Sequence, residues 1–262
     1  MSDSPLYTTQ LQAGLGLVDE TRALLELWHE GMSASELRTA AVEQGVIPSA
    51  SARRIRNVVI ECFAPRYLGT SGQPARNIKR LQPSLSGSEF RQLLFVYTCR
   101  ATPILFDFVS EIYWDRYAGG YNQLTKQDAR GFVERAIDDG KTSRRWSEST
   151  VTRMSNYLLG VCADYDLLGS LKGQERAITA PRIEDRMLVY LAYELHFMEV
   201  GDNALLKHPD WGLFGFEWID VRNEMQRLAR DGHWIVQSAG QSTQLSWRYE
   251  TMEATLNVLA KA

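Results

Sequence analysis

Helix-turn-helix and winged-helix units packed around a helical core, with a C-terminal β-hairpin wing, form the mainly α fold that three features of this sequence predict. Apolar residues recur at helical spacing over most of its 262 residues. Serine and threonine caps and stopping glycines divide those stretches into pairs of helices joined by tight turns. One stretch, residues 232–250, differs: its first half, 233–237, is short and rich in bulky residues, and its second half alternates, with Leu245, Trp247 and Tyr249 on one face and Gln244, Ser246 and Arg248 on the other.

Residues 17–29 carry Val18, Leu24, Leu25 and Trp28, and Gly31 ends this first helix. Ser33 and Glu36, three apart, form a capping box for a second helix that runs to Gln44 and stops at Gly45. After Val46-Ile47-Pro48-Ser49 a third helix spans 51–64, with Ile55, Val58, Val59 and Cys62 inward. Residues 69–88, rich in Gly, Ser and Pro, read as a linker or long surface loop with one helical turn around 77–81. The apolar stretch 89–117 is interrupted by Pro103, which predicts two buried helices. Thr125 and Asp128 open a helix that Gly140 ends. A basic turn over 141–146 then leads to a helix capped by Ser147 or Ser149 and running to residue 168. Residues 167–180, through Gly169 and Gly173, read as a rudimentary second wing. Helices over 184–201, 202–206 and 219–230 lead to the hairpin, whose loop over 238–242 offers Gly240 for a positive φ. The expected divisions are 1–68, a linker at 69–88, a central subdomain at 89–180 and a winged-helix subdomain at 181–262.

Hydrophobic residues make up 44% and the formal net charge is −3, which places the chain among soluble globular proteins. No uncharged stretch approaches the roughly 18 to 20 apolar residues of a membrane span. No basic-then-apolar signal opens the chain, so a cytoplasmic location without a membrane partner is expected. Cys62, Cys99 and Cys162 are widely spaced in apolar contexts and read as core thiols. His29, His196, His208 and His233 lack the spacing that puts two imidazoles on one helix face for zinc. Gly14-x-Gly16 lacks a third glycine and a preceding strand, and no phosphate-loop lysine or nucleophile elbow is present. Asp164 and Asp166, two apart on a predicted helix, point to different faces. No enzyme activity, no metal and no cofactor is expected.

Charge distribution says more than the total. Within 51–80, Arg53, Arg54, Arg56, Arg66, Arg76, Lys79 and Arg80 stand against Glu61 alone, a balance of 7 − 1 = +6. Arg53, Arg54, Arg56 and Asn57 at the start of the third helix are therefore the first candidates for phosphate contact. Arg144, Arg145 and Arg153, with Lys141 before them, repeat the pattern more weakly. In the last unit, Val221, Met225, Leu228 and Ala229 face inward, while Arg222, Asn223, Gln226, Arg227 and Arg230 face outward. Guanidinium and amide groups are the side chains that pair bidentately with guanine and adenine edges. A helix followed by a hairpin is the winged-helix order, in which helices cover one face of an otherwise marginal ribbon. Double-stranded DNA is thus the expected partner. The alternative is a scaffold whose winged helices dock other proteins and never touch DNA.

Four stretches, YTTQLQAGLGLVDETRALLELWHEGMS, the basic helix after GVIPSAS, WSESTVTRMSNYLLGVCADYDLLG, and WGLFGFEWIDVRNEMQRLARDGHWIVQ with LSWRYETME, together resemble the BrxA family of bacterial BREX phage-defence systems. The resemblance follows apolar and small-residue patterns over most of the chain, in order. It implies a cytoplasmic, non-enzymatic accessory protein with a helical body that binds double-stranded DNA beside other BREX proteins. It fixes no contact residue and no oligomeric state.

Overall fold

Serine and threonine caps open several helices of the computed structural model, which describes residues 6–239 and 242–261. Helix α1 (Val18–Leu27) buries Leu24 and Leu25. Helix α2 (Ala34–Glu43) starts at the expected box: the Ser33 hydroxyl accepts the Glu36 amide at 3.3 Å, and the Glu36 carboxylate accepts the Ser33 amide at 2.8 Å. Gly45, at φ +61, reverses the chain. Ser51 then caps α3 (Ala52–Arg56), accepting the Arg54 amide at 3.2 Å. The helix widens into a π-helix over Asn57–Leu68, closed by an i→i−5 bond from the Gly69 amide to the Ala64 carbonyl. The expected inward stripe, Ile55, Val58, Val59 and Cys62, is buried.

The expected linker is largely a helix. Within 69–88 lie α4 (Gln73–Leu81) and a 3₁₀ turn, Gln82–Ser84. Ala75, Ile78 and Leu81, three apart, are all fully buried, and that stripe outweighs the Gly, Ser and Pro around it. Pro103 breaks the following apolar run as expected, separating α5 (Gly87–Arg100) from α6 (Pro103–Phe108). Among the described residues no single helix is long and apolar enough to cross a membrane.

After a π turn at Val109–Tyr113 come α7 (Trp114–Ala118), β1 (Gln123–Thr125), α8 (Lys126–Asp138), α9 (Glu148–Asp164), β2 (Leu168–Lys172) and β3 (Glu175–Ile178). The three strands form one antiparallel sheet in the order β1-β3-β2. The rudimentary wing of the sequence is therefore a hairpin reinforced by a third strand. Lys172 pairs with Glu175, so Gly173 and Gln174 form a two-residue loop, with Gly173 at φ +63.

The last elements are α10 (Asp185–Phe197), α11 (Asp202–Leu205), a 3₁₀ turn Pro209–Phe214, α12 (Trp218–Leu228), β4 (Trp234–Ala239), β5 (Ser242–Trp247) and α13 (Met252–Leu259). Here is the expected C-terminal ribbon, and its stability comes from its inner face. Trp234 and Leu245 are buried, and the Trp234 indole donates to the Met225 carbonyl at 2.8 Å. At the base, the Tyr193 hydroxyl donates to the His233 carbonyl at 2.5 Å and accepts the Arg248 amide at 3.2 Å, extending the ladder between the strands. The glycine expected at the hairpin tip, Gly240, lies outside the described residues.

Two compact units result. One comprises the chain up to Lys79 together with Leu94–Pro181; the other comprises Arg80–Leu93 with Arg182–Ala262. All three cysteines are buried and unbridged, as the sequence predicts.

Candidate nucleic-acid interface

The first basic segment folds in a way its composition does not reveal. Arg66 is buried and donates to the Gly14 carbonyl at 3.0 Å and the Gly16 carbonyl at 3.5 Å. Arg76 pairs with Glu30. Lys79 donates to the carbonyls of Glu26, at 3.0 Å, and Trp28. Arg80 donates to Asn257 at 2.7 Å. Of the candidate contacts themselves, Arg54 donates to the Ala13 carbonyl at 2.7 Å and lies 4.0 Å from Glu20, and Arg56 pairs with Glu61 at 3.1 Å. Asn57 is half-buried at the start of the π-helix. Arg53 is exposed and makes no ion pair among the described residues. Six of the seven cations of the segment are thus held by partners within the fold, three of them against carboxylates, which leaves Arg53 as the one presented freely among the described residues.

The α12 surface is also largely compensated. Arg227 donates to Asp185 at 2.8 Å and to Glu224 at 2.7 Å, so it is committed to carboxylates rather than presented outward. That pairing holds the Asp185 carboxyl below its usual range. Arg182 meets Glu224 as well, at 3.2 Å. Arg222 is half-buried, with its guanidinium 5.4 Å from the Trp218 ring centroid. Asn223, Gln226 and Arg230 are exposed as expected.

Between α8 and α9 the chemistry differs. Thr125 and Asp128 form a full capping box at the start of α8: the Asp128 amide donates to the Thr125 hydroxyl at 3.1 Å, and the Thr125 amide to the Asp128 carboxylate at 2.9 Å. Gly140, at φ +73, ends the helix. The turn that follows is fastened from outside. The Tyr7 amide donates to the Lys141 carbonyl at 2.7 Å, and Lys141 pairs with Asp107 at 3.1 Å. The Thr142 hydroxyl donates to the Arg144 carbonyl at 2.9 Å, locking the turn itself. Ser147, one of the two expected caps, accepts the Thr150 amide at 3.4 Å and starts α9.

Helix α9 buries Val151, Met154, Leu158, Leu159 and Cys162. The opposite face exposes Ser149, Thr152, Arg153 and Asn156, spaced i, i+3, i+4 and i+7. Of this face, charge points to Arg153 alone as a contact. The others were legible as the complement of the inward stripe, a polar signal that charge counting overlooks. Arg144 is exposed and makes no ion pair among the described residues. Arg145 meets Asp138 at 3.1 Å, but both side chains are more than half exposed, so solvent screens that pair. Arg153 donates only through Nε to the Ser149 carbonyl, at 3.3 Å, leaving its two terminal nitrogens without a protein partner among the described residues. Glu148, the one acid at the start of α9, pairs with Arg130 at 2.6 Å. Lys172 is exposed at the hairpin tip. The α8–α9 unit therefore gathers hydroxyl, amide and guanidinium donors on one exposed helix face, with Glu148 of that helix engaged by Arg130, while Asp138 and Asp139 stay exposed at the end of α8. No group of three or more His, Cys, Asp or Glu among the described residues is placed to hold a metal ion.

A family model described as BrxA matches residues 5–194, which includes the whole α8–α9 unit and its three-stranded sheet and ends before α12 and the C-terminal hairpin. No curated protein matches the chain. Among solved structures, the crystal structure of an uncharacterized protein from Magnetospirillum magneticum is similar, with a TM-score of 0.61 and 15% sequence identity. The alignment covers 78% of this chain and 98% of that one. At that identity the likeness concerns the fold.

Proposed function

The chain belongs to the BrxA family, and from that premise we propose that it is a non-enzymatic accessory protein of a BREX phage-defence system that binds double-stranded DNA through α9. In this reading α8 and α9 are the helix-turn-helix, β2 and β3 are the wing, and the protein acts in the cytoplasm beside other BREX proteins.

The observation that carries the proposal is the exposed stripe of Ser149, Thr152, Arg153 and Asn156 on α9, next to the free guanidinium of Arg144. In winged-helix proteins the second helix of the pair enters the major groove, and the ribbon reaches the neighbouring backbone. Hydroxyls, and Arg144 in the turn outside α9, suit phosphates, whereas within the α9 stripe Arg153 and Asn156 are the residues of the types that read base edges bidentately. Few base readers among several phosphate donors means binding with limited sequence preference. The unit also falls inside the family match, as a shared activity requires.

Titrating a labelled duplex at two salt concentrations tests this. About four phosphate contacts give a log–log salt slope of roughly −3 to −4. Absence of any complex at low salt would overturn the reading.

Docking of a protein partner is the second reading, and it applies to the α12 unit. Arg182 and Arg227 are tied to Asp185 and Glu224 there, which leaves fewer cations for a polyanion and a surface better suited to a polypeptide.

A further inference from the structure

A row of unpaired backbone amides and carbonyls at a sheet edge is satisfied only by water or by another strand, and folded proteins blunt such edges. Three of the edges here are blunted. β1 is only three residues long. β2 has a bulge between Leu168 and Leu171 and ends in Lys172. β5 is covered by side chains of α11: Asp202 accepts the Leu245 amide at 2.8 Å and Asn203 accepts the Thr243 amide at 2.9 Å. Those two bonds also fix the phase of the β4–β5 ladder. With Thr243 and Leu245 facing away from β4, the strands bond through Ile235 with Ser246 and Gln237 with Gln244. It follows that Val236 and Ser238 turn their amides and carbonyls away from β5, and neither backbone has a partner among the described residues.

β4 has none of the protective devices. Its six residues, Trp-Ile-Val-Gln-Ser-Ala, include no charge and no proline, and its register with β5 runs without a bulge from Trp234 to Ala239. On the solvent face Ile235 is 62% exposed; Gln237, Gln244 and Ser246 beside it are uncharged, and the one charge on that face, Arg248, lies beyond the end of β5.

We propose that β4 is a self-association edge, pairing antiparallel with β4 of a second copy of this chain about a twofold axis at Val236. The strand itself supplies the matching chemistry. In that register Val236 bonds reciprocally to its own equivalent, Trp234 lies opposite Ser238, and Ile235 covers Gln237 of the second copy. No like charges meet, because the strand carries none. A strand pair of this length is small beside the roughly 1,200–2,000 Å² of stable interfaces, so the association is reversible and concentration-dependent.

Sedimentation velocity over a range of protein concentrations reads it. The wild-type chain should pass from monomer to dimer. Val236→Pro removes the outward amide and no bond within the hairpin, which an edge strand tolerates. It deletes two symmetry-related bonds of the dimer, so the dissociation constant should rise by roughly tenfold or more. Val236→Cys gives a readout that does not depend on the proline variant folding. Cα atoms of a hydrogen-bonded antiparallel pair lie about 5.5 Å apart, within disulfide range, so mild oxidation should yield a covalent dimer. Gln244→Cys, on the covered strand, should not. The buried native cysteines leave each new thiol as the reporter. A chain that stays monomeric throughout, or a dimer indifferent to Val236→Pro that gives no Val236→Cys disulfide, overturns the proposal.

Discussion

Arg66 belongs by sequence to a run of basic residues, yet it is buried and serves the backbone carbonyls of Gly14 and Gly16. Arg66→Leu should therefore destabilise the protein by about 2–3 kcal/mol in chemical denaturation, the scale of hydrogen bonds to a charged group, while duplex affinity of the folded variant stays the same. A fall in affinity with unchanged stability would contradict that placement. The side-chain partners explain why composition misleads here. Glu30 lies 46 residues from Arg76, and Asp185 lies 42 from Arg227; no local pattern reveals contacts so distant in sequence. Histidine gives a second residue-scale test. His196 stacks on Trp247 at 4.3 Å, and burial pushes its imidazole below the ordinary value. The unfolded chain then takes up the proton first, so the contribution to stability is complete above about pH 6.5 and is lost as pH falls below it. Replacing His196 by Phe should flatten the decline of Tm on acidification; an unchanged profile would mean that other groups govern it.

Elements whose ends carry their own chemistry were legible in the sequence. Ser33 with Glu36, Thr125 with Asp128 and Ser147 each cap the helix they announce, because a cap needs only residues three apart. Helix α4 was hidden, since its buried Ala75, Ile78 and Leu81 are interleaved with Arg76, Asn77, Lys79 and Arg80 and flanked by Gly, Ser and Pro. The π-helical widening after Arg56 leaves no mark in an apolar stripe that reads equally well as an α-helix. The hairpin was legible from its alternation, but the cover of its outer edge by Asp202 and Asn203 was not, because it joins side chains to a strand 40 or more residues away. Asp202→Ala should uncover the Leu245 amide and cost about 1–2 kcal/mol. Thermal unfolding followed with light scattering should then show a lower Tm and more aggregation from the opened edge. An unaltered Tm would show that this bond contributes nothing net.

On the scale of the whole molecule, a net charge of −3 and DNA binding are compatible only where acids are engaged and cations are not. The fold separates the two conditions unevenly. The segment 51–80 and the α12 surface hold most of their cations in ion pairs or in hydrogen bonds to neutral acceptors within the fold, whereas Arg144 and Arg153 of the α8–α9 unit have no carboxylate partner among the described residues. The most direct test of this account is the salt dependence of duplex affinity for Arg144→Ala/Arg153→Ala beside Arg53→Ala/Arg56→Ala. The first pair should weaken binding and reduce the magnitude of the log–log slope by about 2, with the second close to wild type. The reverse pattern, a full slope in the α9 variant and a reduced one in the α3 variant, would contradict the assignment of α9 as the DNA-contacting helix.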